Sequence, residues 1–151
     1  MSSLSRASFV YRVAAVVLLL FAIGHTFSFS QTDPSWGLDP TLASMRSIHF
    51  SIAGTERTYW DLFMASGLTV GLLYLFSAVL AWRLGTLRPE TRRELRVVCW
   101  AFALAYAAVT AVSVVYLFPI PSGFSGVVTL LLITGAWESS RQEPAKQMPA
   151  G

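Results

Sequence analysis

His49, Glu56, Arg57, Tyr59, Trp60 and Asp61 fall within thirteen residues of one another, and His25 lies upstream in Gly24-His25-Thr26. An imidazole titrates near neutral pH, so His25 or His49 could exchange a proton with Asp61 or Glu56 in acid–base catalysis. His25, His49, Asp61 and Glu56 are therefore the candidate catalytic residues. Arg57 would hold an anionic group, and Tyr59 and Trp60 would line the site, which makes these three the candidate ligand-binding residues. A structural reading stands beside each role. Thr58-x-x-Asp61 has the spacing of a helix capping box, where the carboxylate serves the backbone. Glu56 and Arg57 could simply be solvated, and His25 could bond to a Ser, Thr or Tyr of a neighbouring helix.

Metal and cofactor chemistry finds little support. Two histidines without paired cysteines cannot fill a tetrahedral zinc site, and His25, His49 and Asp61 would make at most a three-ligand open one. Haem between the two histidines would draw one ligand from a loop. GxGxxG, P-loop, HExxH, GxSxG and CxxC patterns do not occur, so no metal and no cofactor is expected.

The elements that must position these residues are apolar runs at 9–29, 62–82, 97–118 and 121–137. About 20 mainly apolar residues cross the ~30 Å hydrocarbon core of a bilayer; three runs meet that length and the fourth is a few residues short. Over 151 residues, 13% are charged and the mean hydropathy is +0.57. A soluble domain carries about 25% charged residues, so half the usual polar coat is missing. The fold class expected is all-α, an integral membrane four-helix bundle. Its spans are 9–29, 60–82, 95–118 and 121–137, with a loop at 30–59 and a flexible cytoplasmic tail at 138–151. Residues 1–137 are expected to form a single unit.

The cations set an orientation. Arg6 and Arg12 lie at the start of the first apolar run, and Arg83, Arg88, Arg92, Arg93 and Arg96 lie between the second and third runs. Arg141 and Lys146 follow span four, and only Arg46 and Arg57 fall on the other side. The positive-inside rule then puts both termini in the cytoplasm, with the 30–59 loop outward. The net charge of +3 is thus an orientation signal and a contact for anionic membrane lipid, and nucleic acid is not an expected partner. A signal peptide cleaved before Gln31 is the rival reading of the N-terminus. Cys99 cannot form an internal disulfide; it reads as a buried small hydrophobe or a juxtamembrane acylation site.

Local signals refine the helices. Trp60, Trp82, Trp100 and Trp137 mark membrane interfaces. Thr91-x-x-Glu94 is a second capping-box pattern, which starts the third helix two turns before its apolar run and stands Arg92, Arg93 and Arg96 in the cytoplasm. Pro119 and Pro121 stop that helix and leave a short turn to the fourth. Gly67-x-x-x-Gly71 and the Ala101, Ala105, Ala108 face are expected to pack inside the monomer. In the loop, Asp39-Pro40 reads as an N-cap with Pro at N1. Leu42, Met45, His49 and Ile52 follow at helical spacing and Gly54 supplies a stop, so a short amphipathic helix over 40–53 is expected. The span centres carry Thr69, Ser77, Thr110 and Ser113 but no charge, which argues against a transporter.

Gly24-His25-Thr26, Met45-Arg46 and Arg57-x-Tyr59-Trp60-Asp61-Leu62-Phe63 resemble the motifs of a family of small uncharacterised bacterial integral membrane proteins with four spans. The resemblance runs through Arg83, beyond which only hydropathy matches. It implies a bacterial inner-membrane location and assigns no catalytic residue. Two functions follow from the residues. One is a non-catalytic accessory or lipid-like ligand-binding protein, with a homo-oligomer or a larger membrane protein as further partners. The other is a small intramembrane enzyme acting on a hydrophobic substrate at the outer face by His/carboxylate chemistry.

Overall fold

A computed structural model of the chain describes residues 5–141. Four helices are long and apolar enough to cross a membrane: α1 (Arg6–Ser28), α3 (Tyr59–Thr86), α5 (Arg96–Tyr116) and α6 (Pro119–Arg141). Between α1 and α3 lie a single 3₁₀ turn (Pro34–Trp36), helix α2 (Asp39–Ser47) and strands β1 (His49–Ile52) and β2 (Thr55–Thr58); helix α4 (Pro89–Glu94) precedes α5. The architecture is all-α apart from that one small sheet. The helix of the fourth span continues to Arg141, past residue 138 where a flexible tail was expected to begin, and residues 142–151 lie outside the described residues. Among the described residues the chain divides into two compact units, one of residues 5–18 with 77–141 and one of Leu19–Phe76.

The first unit is built on narrow stripes of small residues. Ala7, Ala14, Ala78, Ala81, Ala103 and Ala136 are buried beside the larger Tyr11, Leu18, Leu132 and Phe102. Lipid offers apolar side chains no reason to leave it, so helices associate where small residues let backbones approach. Gly135 illustrates this: a Cβ there would come within 2.8 Å of the Tyr11 ring. Hydrogen bonds supplement the contacts. Thr110 and Thr129 hydroxyls meet at 2.9 Å between α5 and α6, and Trp100 Nε1 donates to Ser140 Oγ at 3.3 Å. The inward face of α5 carries Cys99, Phe102, Ala103, Tyr106 and Ser113, while Ala101, Ala105 and Ala108 are not buried. The expected alanine face is thus corrected. Rings at Phe102 and Tyr106 occupy that inward face, and the buried face of α6 mixes the small Ser125, Thr129, Gly135, Ala136 and Ser139 with Val128 and Leu132. Cys99 is fully buried, in keeping with a small core residue.

Proline punctuation holds between α5 and α6, with Leu117 closing the first and Pro119 opening the second. Proline suits a first turn because its missing N–H would find no partner there in any case. The second capping box does not form. Pro89 starts α4 two residues before Thr91, Arg88 takes the N-cap position, and a break at Leu95 separates α4 from α5.

That break turns Arg92 inward. Expected to stand in the cytoplasm, it is instead fully buried. Its Nε donates to the Leu84 carbonyl at 2.9 Å, and Nη2 donates to the Leu87 carbonyl and to Ser8 Oγ, both at 2.7 Å. Nη1 reaches Ser5 Oγ at 3.3 Å. The last carbonyls of a helix lack intrahelical donors and carry partial negative charge, so a cation at the end of α3 satisfies both needs. Burial pulls the guanidinium pKa below its usual value, a shift opposed by Tyr11 and Cys99.

The second unit pairs the latter part of α1 with the first part of α3. Gly67 lies under the Phe29 ring, and Gly71 faces Thr26 Oγ1, 2.5 Å from where a Cβ would sit. The GxxxG pattern therefore packs within the chain, as its spacing implies. The loop departs from expectation. The helix ends at Ser47, and His49–Ile52 pairs antiparallel with Thr55–Thr58 in the register His49↔Thr58, Phe50↔Arg57, Ser51↔Glu56 and Ile52↔Thr55. Ala53 (φ 51°) and Gly54 (φ 78°) form the two-residue connection, and positive φ at both positions matches the twist of a hairpin. Gly54 is a stop signal, but for a strand. Asp39 sits inside the first turn of α2, with Leu38 at the N-cap and no side-chain capping bond. Asp33 is the residue that caps, accepting from Ser35 N at 2.8 Å at the 3₁₀ turn, and hydrogen bonding from the Ser35 side chain and then its backbone holds the carboxyl below the usual range.

Lysine at 92 would keep the charge and lose the planar fork. Because a hydrogen bond from a charged donor contributes about 1.5–3 kcal/mol, Arg92→Lys is expected to lower the unfolding free energy in detergent by about 2–4 kcal/mol. Arg93→Lys, on exposed α4 surface, should change it by less than about 0.5 kcal/mol. Equal effects from the two variants would remove Arg92 from this role.

Candidate functional site

The seven candidate residues all fall in the second unit, and the structure groups them unevenly. Asp61 forms the predicted capping box with Thr58. Its Oδ2 accepts from Thr58 N at 2.8 Å and Thr58 Oγ1 at 3.0 Å, and Asp61 N donates back to Thr58 Oγ1 at 3.2 Å. Both partners sit at the junction where β2 passes directly into α3, so the box fixes the hairpin to the helix.

His49 and Glu56 share a face of the hairpin, one strand step apart diagonally. Their Nδ1 and Oε1 atoms are 3.9 Å apart, with both side chains largely in solvent. Screened pairs of this kind contribute about 0–1 kcal/mol. Arg57 lies on the opposite face, opposite Phe50, and its Nη1 donates to the Glu56 carbonyl at 2.7 Å. Tyr59 packs against Phe50 at 5.0 Å between ring centroids. Trp60 is covered by Arg46, whose guanidinium carbon lies 4.1 Å from the ring centroid.

His25 belongs to a different place. Its Nε2 donates to the backbone carbonyl of Gly67 at 3.0 Å. Gly67 is six residues beyond Asp61, about 9 Å further along α3 at 1.5 Å per residue. The interhelical bond foreseen for His25 therefore exists, but its acceptor is a carbonyl that a glycine leaves open rather than a hydroxyl. With Nε2 as the donor, Nδ1 of the neutral ring carries the lone pair. His25, His49 and Asp61 are not brought together as a three-ligand set. Among the described residues, no group of three His, Cys, Asp or Glu side chains is placed to hold a metal ion.

Sequence reasoning missed the aromatic row around His25. Phe21 lies one turn earlier on α1 and Phe29 lies four residues later, just past its end, their rings nearly parallel to the imidazole at 6.2 and 5.4 Å. Tyr74 meets Phe21 edge-on at 4.6 Å. In the other direction Phe29 contacts Phe63 at 5.8 Å, and Phe63 contacts Trp60 at 5.5 Å. Arg46 ends the row. The spacing Phe21-x-x-x-His25-x-x-x-Phe29 was a readable signal, because side chains four apart stack on one helix face.

In chemical terms, two of the four candidate acid–base groups have structural tasks, with Nδ1 of His25 left as an acceptor. The Asp61 Oδ2 oxygen is held by two donors, and the His25 proton is held by a carbonyl. Asp61→Ala is expected to cost about 0.5–2 kcal/mol of stability in detergent and to speed hydrogen exchange at the Thr58 amide. An unchanged exchange rate at Thr58 would mean that the box does not hold in solution.

Comparison with protein families, with curated proteins and with solved structures finds no match. The four long apolar helices make the chain a multi-pass membrane protein.

Proposed function

We propose that this chain is a non-catalytic protein of the bacterial inner membrane that holds a lipid-like molecule against the aromatic row of α1 and α3. Both termini face the cytoplasm and the α1–α3 connection faces outward, by the nine-to-two division of cations. The motif resemblance to small four-span bacterial membrane proteins agrees with that location. The observation that carries the reading is the engagement of His25 and Asp61 by the chain itself. Asp61 serves Thr58 and His25 donates its Nε2 proton to Gly67, so the chain gives each a structural task and does not bring the two together as an acid–base pair. The rings of Phe21, Phe29, Trp60 and Tyr74 are half-buried and Phe63 is exposed, so their outer edges offer apolar surface to a lipid-like ligand, with the Nδ1 lone pair of His25 to accept one hydroxyl. A homo-oligomer or a larger membrane partner would provide the setting for an accessory role.

One observation favours the enzymatic alternative. His49 and Glu56 are solvent-facing, and their 3.9 Å separation would let the carboxylate orient the imidazole. Native mass spectrometry in mild detergent separates the two. Under the binding reading, a lipid-like mass co-purifies, disappears in His25→Ala, and stays unchanged in chemical identity on prolonged incubation. Conversion of that lipid to a new mass, lost in His49→Ala with the melting temperature kept, would establish turnover and overturn the proposal. Phosphatase fusions in the α1–α3 connection should be active, and fluorescent-protein fusions at the C-terminus should fluoresce.

A further inference from the structure

The cations of the first unit are treated differently from one another, and Arg12 stands apart. Arg92 has four acceptors. Arg6 has the Glu138 carboxylate at 3.3 Å, and Arg141 lies over Trp137 at the end of α6. Arg12 sits inside the first apolar helix, where a charged side chain is costly unless paired. Its guanidinium carbon lies 5.5 Å from the Trp82 ring centroid, and its Nε is buried with no acceptor among the described residues. A buried donor left unmade costs about 1–3 kcal/mol.

The surroundings accommodate this side chain rather than neutralise it. At Gly85 a Cβ would come within 3.0 Å of Arg12 Cγ and 3.1 Å of the Ser8 carbonyl, so glycine there makes the groove in which the arginine stem lies. Trp82 supplies a π face to one side. Among the described residues the only carboxylate in an ion pair within this unit, Glu138, is taken by Arg6.

We propose that Arg12, Trp82 and Gly85 form a notch that binds a phosphate oxyanion, and that its source is the headgroup of an anionic phospholipid. The guanidinium fork matches two phosphate oxygens, and a tryptophan beside it suits headgroup depth. This rests on the reading above that the start of α1 lies at the cytoplasmic membrane surface, where anionic lipid concentrates. It places a defined lipid at one residue, where charge counting sees only a basic surface.

The test uses the full chain in maltoside detergent, titrated with short-chain phosphatidylglycerol or phosphatidylcholine and read by native mass spectrometry. The wild type is expected to bind the anionic lipid about ten-fold more tightly, as suits a bidentate charged contact. Arg12→Gln should bring that ratio near one, and Arg93→Gln should leave it in place. If Arg12→Gln does not fold, Trp82→Leu keeps the charge and removes the ring, and should reduce the preference by about three-fold. A preference that survives both substitutions, or equal binding of the two lipids by the wild type, overturns the notch. Displacement of the lipid by millimolar inorganic phosphate would support the oxyanion site and overturn the lipid as its source. Recovery of the protein in water without detergent would instead defeat the membrane reading itself, so the two failures are distinguishable.

Discussion

Lipid gives an apolar helix no reason to leave it for another apolar helix, and the rest of this structure follows from that constraint. The chain leaves large side chains such as Leu72, Phe76, Leu104 and Leu130 on the outside. Its inward stripes are rich in glycine, alanine, serine and threonine beside a few larger side chains, with a small number of hydrogen bonds where helices meet. In the second unit such a bond runs from His25 to the Gly67 carbonyl; in the first such bonds join Thr110 to Thr129 and spread from Arg92 to α1 and to the end of α3. These bonds are few because each one withdraws polar atoms from water or headgroup. Each is therefore made where a small residue opens access, as at Gly67.

The same economy governs the α1–α3 connection. No linker intervenes between β2 and α3, so whatever orients Thr58 orients the hairpin. The capping box supplies that control. Arg46 over Trp60 ties α2 to the same helix turn, and Phe50 against Tyr59 ties β1. The residues that first read as a catalytic set are thus largely the parts of a joint. His49 and Glu56 are the exception, because they face solvent on the side of the hairpin away from Phe50 and Arg57.

Much of the fold was legible because its signals are one-dimensional. Span length, the prolines at 119 and 121 and the Thr58/Asp61 spacing act within a few residues and needed no knowledge of neighbours. The failures share a cause. Gly54 permits positive φ, and that freedom ends a helix or turns a hairpin equally well. Only the alternation in His49–Ile52 and Thr55–Thr58 could have decided between them. Ala101, Ala105 and Ala108 looked like a packing face, yet which face of α5 turns inward depends on the helices packed against it, and the face that does so carries Phe102 and Tyr106. His25 was placed correctly on an interhelical bond, but a backbone acceptor carries no residue type to read. Of the candidate site, the capping pair was visible in the spacing, whereas the separation of His25 from His49 and Asp61 came from the pairing of α1 with α3.

Arginine shows most clearly what counting cannot see. Arg12 and Arg92 weigh the same in any tally of charges beside apolar runs, yet the chain treats them oppositely. Arg92 is enclosed by carbonyls and hydroxyls, so its charge completes the end of α3 and is no longer presented to a lipid surface. Arg12 is given a groove and an aromatic face but no oxygen. A protein that can surround one guanidinium with four acceptors has the means to satisfy another. Leaving one donor unmet inside an apolar helix is costly, and a phosphate oxyanion from outside the chain would remove that cost.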